Sequence, residues 1–172
     1  MGCLLFIFMR YFDIIKFDVD VALTKRLGYH KVYVAGKDLE ICHGTEGLPG
    51  PKIVLGWDPG VLARSLKQPD VVGMVFEGKE LNRKLIERAA ELEKNVFVPI
   101  RNLLSYDIGE RVYEMRRVGD VVAACHKLGA RAKLITLAED VADIISVGQL
   151  KQLSCLFSAD GYALPVFDGG LI

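Results

Sequence analysis

The sequence predicts an α/β fold built on a largely parallel sheet. Short apolar runs alternate with amphipathic helical patterns through nearly the whole chain, the rhythm of βα units. Runs such as "KIVLGW" and "NVFVPI" are continuously apolar, as strands covered on both faces are. Hydrophobic content of 51% and a mean hydropathy of +0.27 belong to a heavily buried chain rather than a disordered one. The 172 residues suffice for one domain with a substantial core and hardly for two. The expected organisation is a single barrel-like domain over 1–172, with 1–10 an N-terminal extension and 160–172 an extended tail.

Each element has its own signal. "YFDIIKF" (11–17) is rich in aromatic and β-branched residues and predicts a strand, followed by a short helix over 18–28 that Gly28 ends. "HKVYVAG" (30–36) predicts a second strand. The glycines and prolines of residues 39–52 predict a loop. A third strand is expected over 52–59, a short helix over 60–68 and a fourth strand over 70–79. Residues 80–94 predict a helix, with Leu81, Leu85, Ala89 and Leu92 on one face and Glu80 four before Lys84. "NVFVPI" is the fifth strand. The longest helix is expected over 107–128, starting at Ser105 or Asp107 and ended by Gly129. Residues 131–140 supply the sixth strand and its exit, and Val147, Leu150, Leu153 and Leu156 mark a last helix over 147–159.

Eight full units of a barrel need about 250 residues. The length therefore predicts a reduced TIM-like barrel of about six or seven largely parallel strands, open at one side. The early strands begin so close together that their crossovers must be near the minimum length.

Lys+Arg and Asp+Glu both number 22, so any affinity for nucleic acid must come from a local patch or from a complex. Cys3, Cys42, Cys125 and Cys155 are scattered with no CxxC, which suggests a reducing, cytoplasmic compartment. In Cys42-His43 and Cys125-His126, neighbouring side chains diverge, and zinc-ligand spacing is missing. "MGCLLFIFM" is too short to span a bilayer and lacks the charge and cleavage pattern of a signal peptide. Phe6 stands where a myristoylation motif needs Ser or Thr. The stretch reads as an extension of the first strand, or as residues upstream of a start at Met9, and no membrane association is expected.

Three constellations could carry chemistry. Asp13, Asp18, Asp20, Asp58, Asp70, Glu77 and Glu139 could supply a metal site at strand ends, but His30, His43 and His126 are sparse and "KFDVDV" has no H-x-H pair. The commoner role for Asp18 or Asp20 is a helix N-cap. "AGKDLE" and "FEGKEL" place Lys37 and Lys79 in Gly-Lys turns without a phosphate-loop frame; solvated turns are expected.

The third is basic. On an ideal helix Tyr113, Arg116, Arg117, Asp120 and Lys127 fall within about a third of a turn. Ile108, Val112, Met115 and Val122 take the other side and should pack on the sheet. With Arg101 at the end of the fifth strand, and Arg131 and Lys133 in the sixth, this is the densest basic region of the chain. Cations beside an exposed tyrosine suit a phosphate backbone and a stacked base. A solvated face with Arg116 paired to Asp120 is the simpler alternative.

The order "IRNLL", "ERVYEMRR", "KLGARAKLITLA" and "VGQLKQLSCLFS", with "LGYHKVYVAG" upstream, resembles the protein component 3 family of archaeal and eukaryal ribonuclease P, the PHP-like barrel subunit. The resemblance covers about two thirds of the chain and lies in order and spacing. It implies a reduced PHP-like barrel in a ribonucleoprotein that removes 5′ leaders from precursor tRNA. There the RNA, with bound magnesium, holds the catalytic centre, so neither a catalytic residue nor a metal or cofactor of its own is expected in this chain. The implied partners are the ribonuclease P RNA, precursor tRNA indirectly, and a small ferredoxin-like protein subunit in a heterotetramer. Arg101, Arg116, Lys127 and Arg131 match basic positions and are the implied RNA contacts, with Arg117 and Lys133 behind them. The alternative is a metal-dependent phosphoesterase on the same barrel; a third is a small-molecule enzyme in which Arg101 clamps a phosphate or carboxylate.

Overall fold

Strands and helices alternate as the apolar rhythm requires, in a computed structural model that describes residues 12–43, 50–77, 81–104 and 107–157. Strand β1 (Phe12–Ile15) leads to helix α1 (Val21–Arg26), then β2 (Lys31–Val34), β3 (Glu40–Cys42) and β4 (Lys52–Gly56). Helix α2 (Pro59–Ser65), β5 (Val71–Phe76), α3 (Arg83–Glu91) and β6 (Asn95–Pro99) follow. A 3-10 turn (Arg101–Leu104) opens into α4 (Ile108–Leu128), which returns to β7 (Arg131–Ile135). A second such turn (Val141–Asp143) precedes α5 (Val147–Phe157). The N-terminal extension over 1–10 and the tail over 160–172 lie outside the described residues.

Side-chain caps fix the helix starts. Asp20, Asp58, Asn82 and Asp107 each accept a backbone N–H from the first turn of α1, α2, α3 and α4, a contact worth about 1 kcal/mol. Gly129 ends α4 with φ 71°, the left-handed conformation that favours glycine.

All observed ladders are parallel. One sheet has the order β3-β4-β5-β6-β7, and β1 pairs with β2 in a second. Isolated bridges Ile15–Ala138 and Ala35–Leu39 link the ends of the two sheets. Among the described residues no continuous ladder crosses these junctions, so the barrel is not closed. Strand faces nevertheless divide cleanly. Ile14, Tyr33, Leu39, Ile53, Val75, Phe97, Ile135 and Leu137 form one buried cluster to which every strand or its flank contributes. Ile15, Val54, Met74, Val96, Val98 and Leu134 face the helices in a larger cluster with Leu62, Leu85, Val118 and Leu150. Burial on both faces explains the continuous apolar runs.

Two expectations are corrected. The Gly- and Pro-rich stretch 39–52 contains β3, three residues long and paired with β4 through Glu40–Lys52, Ile41–Ile53 and Cys42–Val54. In α4, Ile108 and Val112 do not pack on the sheet; they are 74% and 61% exposed. The buried residues are Glu114, Val118, Val122, Ala124 and Cys125. A helix of 21 residues runs about 31 Å, whereas five-residue β6 and β7 span about 17 Å. The first turns of α4 therefore overhang the strand ends.

Candidate nucleic-acid interface

Helix α4 runs back along the sheet, beginning beside the carboxyl ends of the strands and finishing beside their amino ends. This geometry spreads the basic residues out. Arg101 follows β6 at the carboxyl edge, and Arg131 opens β7 at the other.

Arg101 is half-exposed and held by acids. Its Nη1 lies 2.7 Å from Glu139 Oε1, and its Nε lies 3.6 Å from Asp143. Lys16 reaches the same Glu139 oxygen at 2.9 Å. Lys16 and Arg101 hold the Glu139 carboxyl below the usual range, and Glu139 in turn raises the Arg101 guanidinium. The charge emerging from the core strand is thus shared within a four-membered cluster joining the exits of β1, β6 and β7.

Arg117 turns inward. Its Nε and Nη2 donate to the buried Glu114 carboxylate at 2.8 and 2.5 Å, leaving the arginine side chain 20% exposed. Lys133 is 4% exposed within β7; burial pushes its pKa down to about 8, with the charge of Arg131 adding to the effect. Arg117 keeps only a small exposed fraction and is neutralised by Glu114, while Lys133 shares the inner face of the strands with Phe97 and Ile135.

Arg116, Lys127 and Arg131 are exposed. Eleven residues separate Arg116 from Lys127, which returns the helix to nearly the same azimuth about 16 Å further along. Lys127 lies in the last turn of α4, and Gly129 reverses the chain toward Arg131. Tyr113, 56% exposed, continues the face toward the start of α4. Arg116 forms no ion pair with Asp120. Of the six candidate cations, Arg116, Lys127 and Arg131 are the exposed ones, and Arg101 stands at the opposite edge from Arg131.

The acidic candidates disperse. Asp13 is buried against Thr136, Asp18 pairs with Lys37 at 2.8 Å, and Asp20 and Asp58 cap helices. Asp70 binds the buried Lys52 at 2.8 Å. No group of three His, Cys, Asp or Glu side chains among the described residues could hold a metal ion. Cys42 and Cys125 are buried thiols while His43 and His126 face outward. Lys79 lies outside the described residues. Sequence reasoning missed the roles of Glu114 and Glu139; only the i,i+3 spacing of Glu114 and Arg117 signalled the first.

A cleft of about 370 Å³ opens at the carboxyl edge between the strand exits and the overhanging start of α4. Lys16, Phe76, Glu77, Arg101, Tyr113 and Arg117 line it.

The fold and this edge define an α/β protein with a largely parallel sheet. Its architecture is similar to that of a chain in the cryo-EM structure of archaeal ribonuclease P with mature tRNA. The TM-score is 0.73 at 15% sequence identity, over 90% of this chain and 86% of that one. No family model matches the sequence, and no curated protein does.

Proposed function

We propose that this chain is a protein subunit of ribonuclease P that binds and supports the catalytic RNA without itself cleaving precursor tRNA. The carrying observation is the fold shared, over nine-tenths of the chain, with a component of the archaeal complex bound to mature tRNA. The order of the basic motifs in the sequence supports the same reading. Among the six candidate RNA contacts, Arg116, Lys127 and Arg131 form the phosphate-facing track, and Arg101 is a secondary contact whose charge Glu139 and Asp143 share. Arg117 and Lys133 serve the fold.

The strands form a reduced PHP-like barrel in this proposal, supported by the buried cluster drawn from all seven strands or their flanks and by the two bridges between the sheets. The partners are the ribonuclease P RNA, precursor tRNA through it, and a small ferredoxin-like subunit assembled as a heterotetramer in the cytoplasm. Magnesium resides on the RNA.

Reconstitution tests the proposal. Precursor-tRNA cleavage is assayed with the RNA and companion subunits, with and without this chain. Cleavage is expected to depend on the chain, and the purified chain alone is expected to be inert. Unchanged cleavage on omission, with phosphoester turnover by the chain alone, overturns it.

A further inference from the structure

We propose that the cleft at the carboxyl edge of the sheet receives one unstacked guanine base. The inference rests on the RNA-binding role proposed above and assigns a ligand to a place apart from the Arg116–Arg131 track.

The cleft's cations are already compensated, which argues against a simple phosphate trap. Lys16 and Arg101 share Glu139, and Arg117 is engaged by Glu114. Val75, Phe76, Pro99 and Leu137 contribute apolar wall and floor, Val75 and Leu137 being part of the buried interstrand cluster. Around this floor stand Glu77, Asn102 and Tyr113, all exposed. None of their side chains has a hydrogen-bond partner among the described residues. The cleft thus sets a polar and charged rim around a short apolar floor, and its 370 Å³ falls within the range of about 300–1,000 Å³ common for small-ligand sites.

A nucleobase fits this chemistry better than an anion. It is flat, and it stacks on aromatic rings such as Phe76 or Tyr113 while its edge carries the hydrogen bonds. A carboxylate such as that of Glu77 offers acceptor oxygens. Guanine offers it two adjacent donors, N1–H and the N2 amino group. Adenine, cytosine and uracil each lack that pair on their Watson–Crick edge. The Asn102 amide and the Arg101 N–H groups not engaged by Glu139 and Asp143 supply donors for guanine O6 and N7. A base extruded from RNA and a free guanine nucleotide share this chemistry.

The full chain is titrated with GMP, AMP, CMP and UMP by calorimetry, alongside Glu77→Gln and Tyr113→Ala, with circular dichroism as the folding control. Both substitutions fall at exposed positions, so a folding defect in one leaves the other to decide. GMP is expected to bind saturably, with affinity about tenfold or more lower for the folded variants. No saturable binding, equal binding of all four nucleotides, or unchanged affinity in both variants overturns the inference.

To separate the two sources, ribonuclease P RNA carrying 6-thioguanosine is cross-linked in the reconstituted complex. A cross-link to the peptide containing Tyr113 is expected. GMP binding without that cross-link assigns the cleft to the free nucleotide and overturns the RNA-borne form. Cleavage that depends on the chain, combined with absent GMP binding, overturns the cleft alone and leaves the subunit proposal standing.

Discussion

Asp13 and Thr136, 123 residues apart in the chain, are joined by two hydrogen bonds. The Thr136 hydroxyl donates to Asp13 Oδ2 at 2.6 Å, and the Thr136 N–H donates to Oδ1 at 2.8 Å. Both residues are 1% exposed. The pair ties β1 to the exit of β7 beside the Ile15–Ala138 bridge, where the two sheets meet. Thr136→Val is expected to destabilise the fold by about 1–3 kcal/mol, read by denaturant unfolding.

The same carboxyl sets a pH dependence. Burial raises its pKa from 3.8 to about 6, against the opposing hydrogen bonds from Thr136 and Ile14. The folded state therefore binds more protons between these values, and its stability falls as pH rises from about 4 to 6. Lys133 acts in a second window. Its folded pKa of about 8 lies below the ordinary 10.5, so its contribution to stability rises between those values. Asp13→Asn is expected to flatten the acidic limb only, and Lys133→Met the alkaline limb only, in unfolding free energy measured against pH.

Arg116 and Arg117 are neighbours with opposite expectations. Arg117→Ala strands the buried Glu114 carboxylate and is expected to cost about 1–3 kcal/mol of stability. Arg116→Ala, at an exposed position, is expected to change stability by no more than about 0.5 kcal/mol while weakening RNA association. Paired unfolding and RNA-binding measurements check both.

Gly73 lies where β5 and β6 approach closely. A Cβ there would collide with the Asn95 carbonyl oxygen and come within 2.6 Å of Phe97 Cε2. Gly73→Ala is expected to destabilise by about 1–3 kcal/mol through overpacking, and Gly73→Val by more, in the same unfolding assay.

Cys125 is fully buried, and burial pushes its thiol up to about 12. Thiolate is the reactive form, so alkylation of native protein at pH 8 is expected to spare the Cys125 peptide until denaturant is added. Peptide mass spectrometry reads the outcome.

The alternation of strands and helices was legible because burial on both faces leaves continuous apolar strands, and because caps such as Asp107 and Gly129 mark where helices begin and end. β3 was not legible. Its three residues hold their place through pairing with β4, a non-local contact that a local pattern dominated by glycine and proline conceals. The packed face of α4 escapes local pattern for a related reason. Periodicity places Ile108 and Val112 on an apolar side, but it does not reveal that the sheet ends before those turns. Burying Glu114 with Arg117 turns the packed face toward the arginine, so one member of the expected basic face is withdrawn. Residue type alone puts Lys133 among the basic candidates, and its placement within β7 buries it. Arg101 emerges at the strand end as its position implied; the acids that share its charge come from segments 38 and 42 residues further on, beyond the reach of local reasoning.

The most direct measurement is the salt dependence of RNA association. The chain, assembled with the proposed ferredoxin-like subunit, is titrated against ribonuclease P RNA across a salt series, beside the triple variant Arg116→Ala/Lys127→Ala/Arg131→Ala. The slope of log affinity against log salt is expected to become shallower by about 2–3, with unfolding stability preserved. An unchanged slope in a folded triple variant would contradict this expectation.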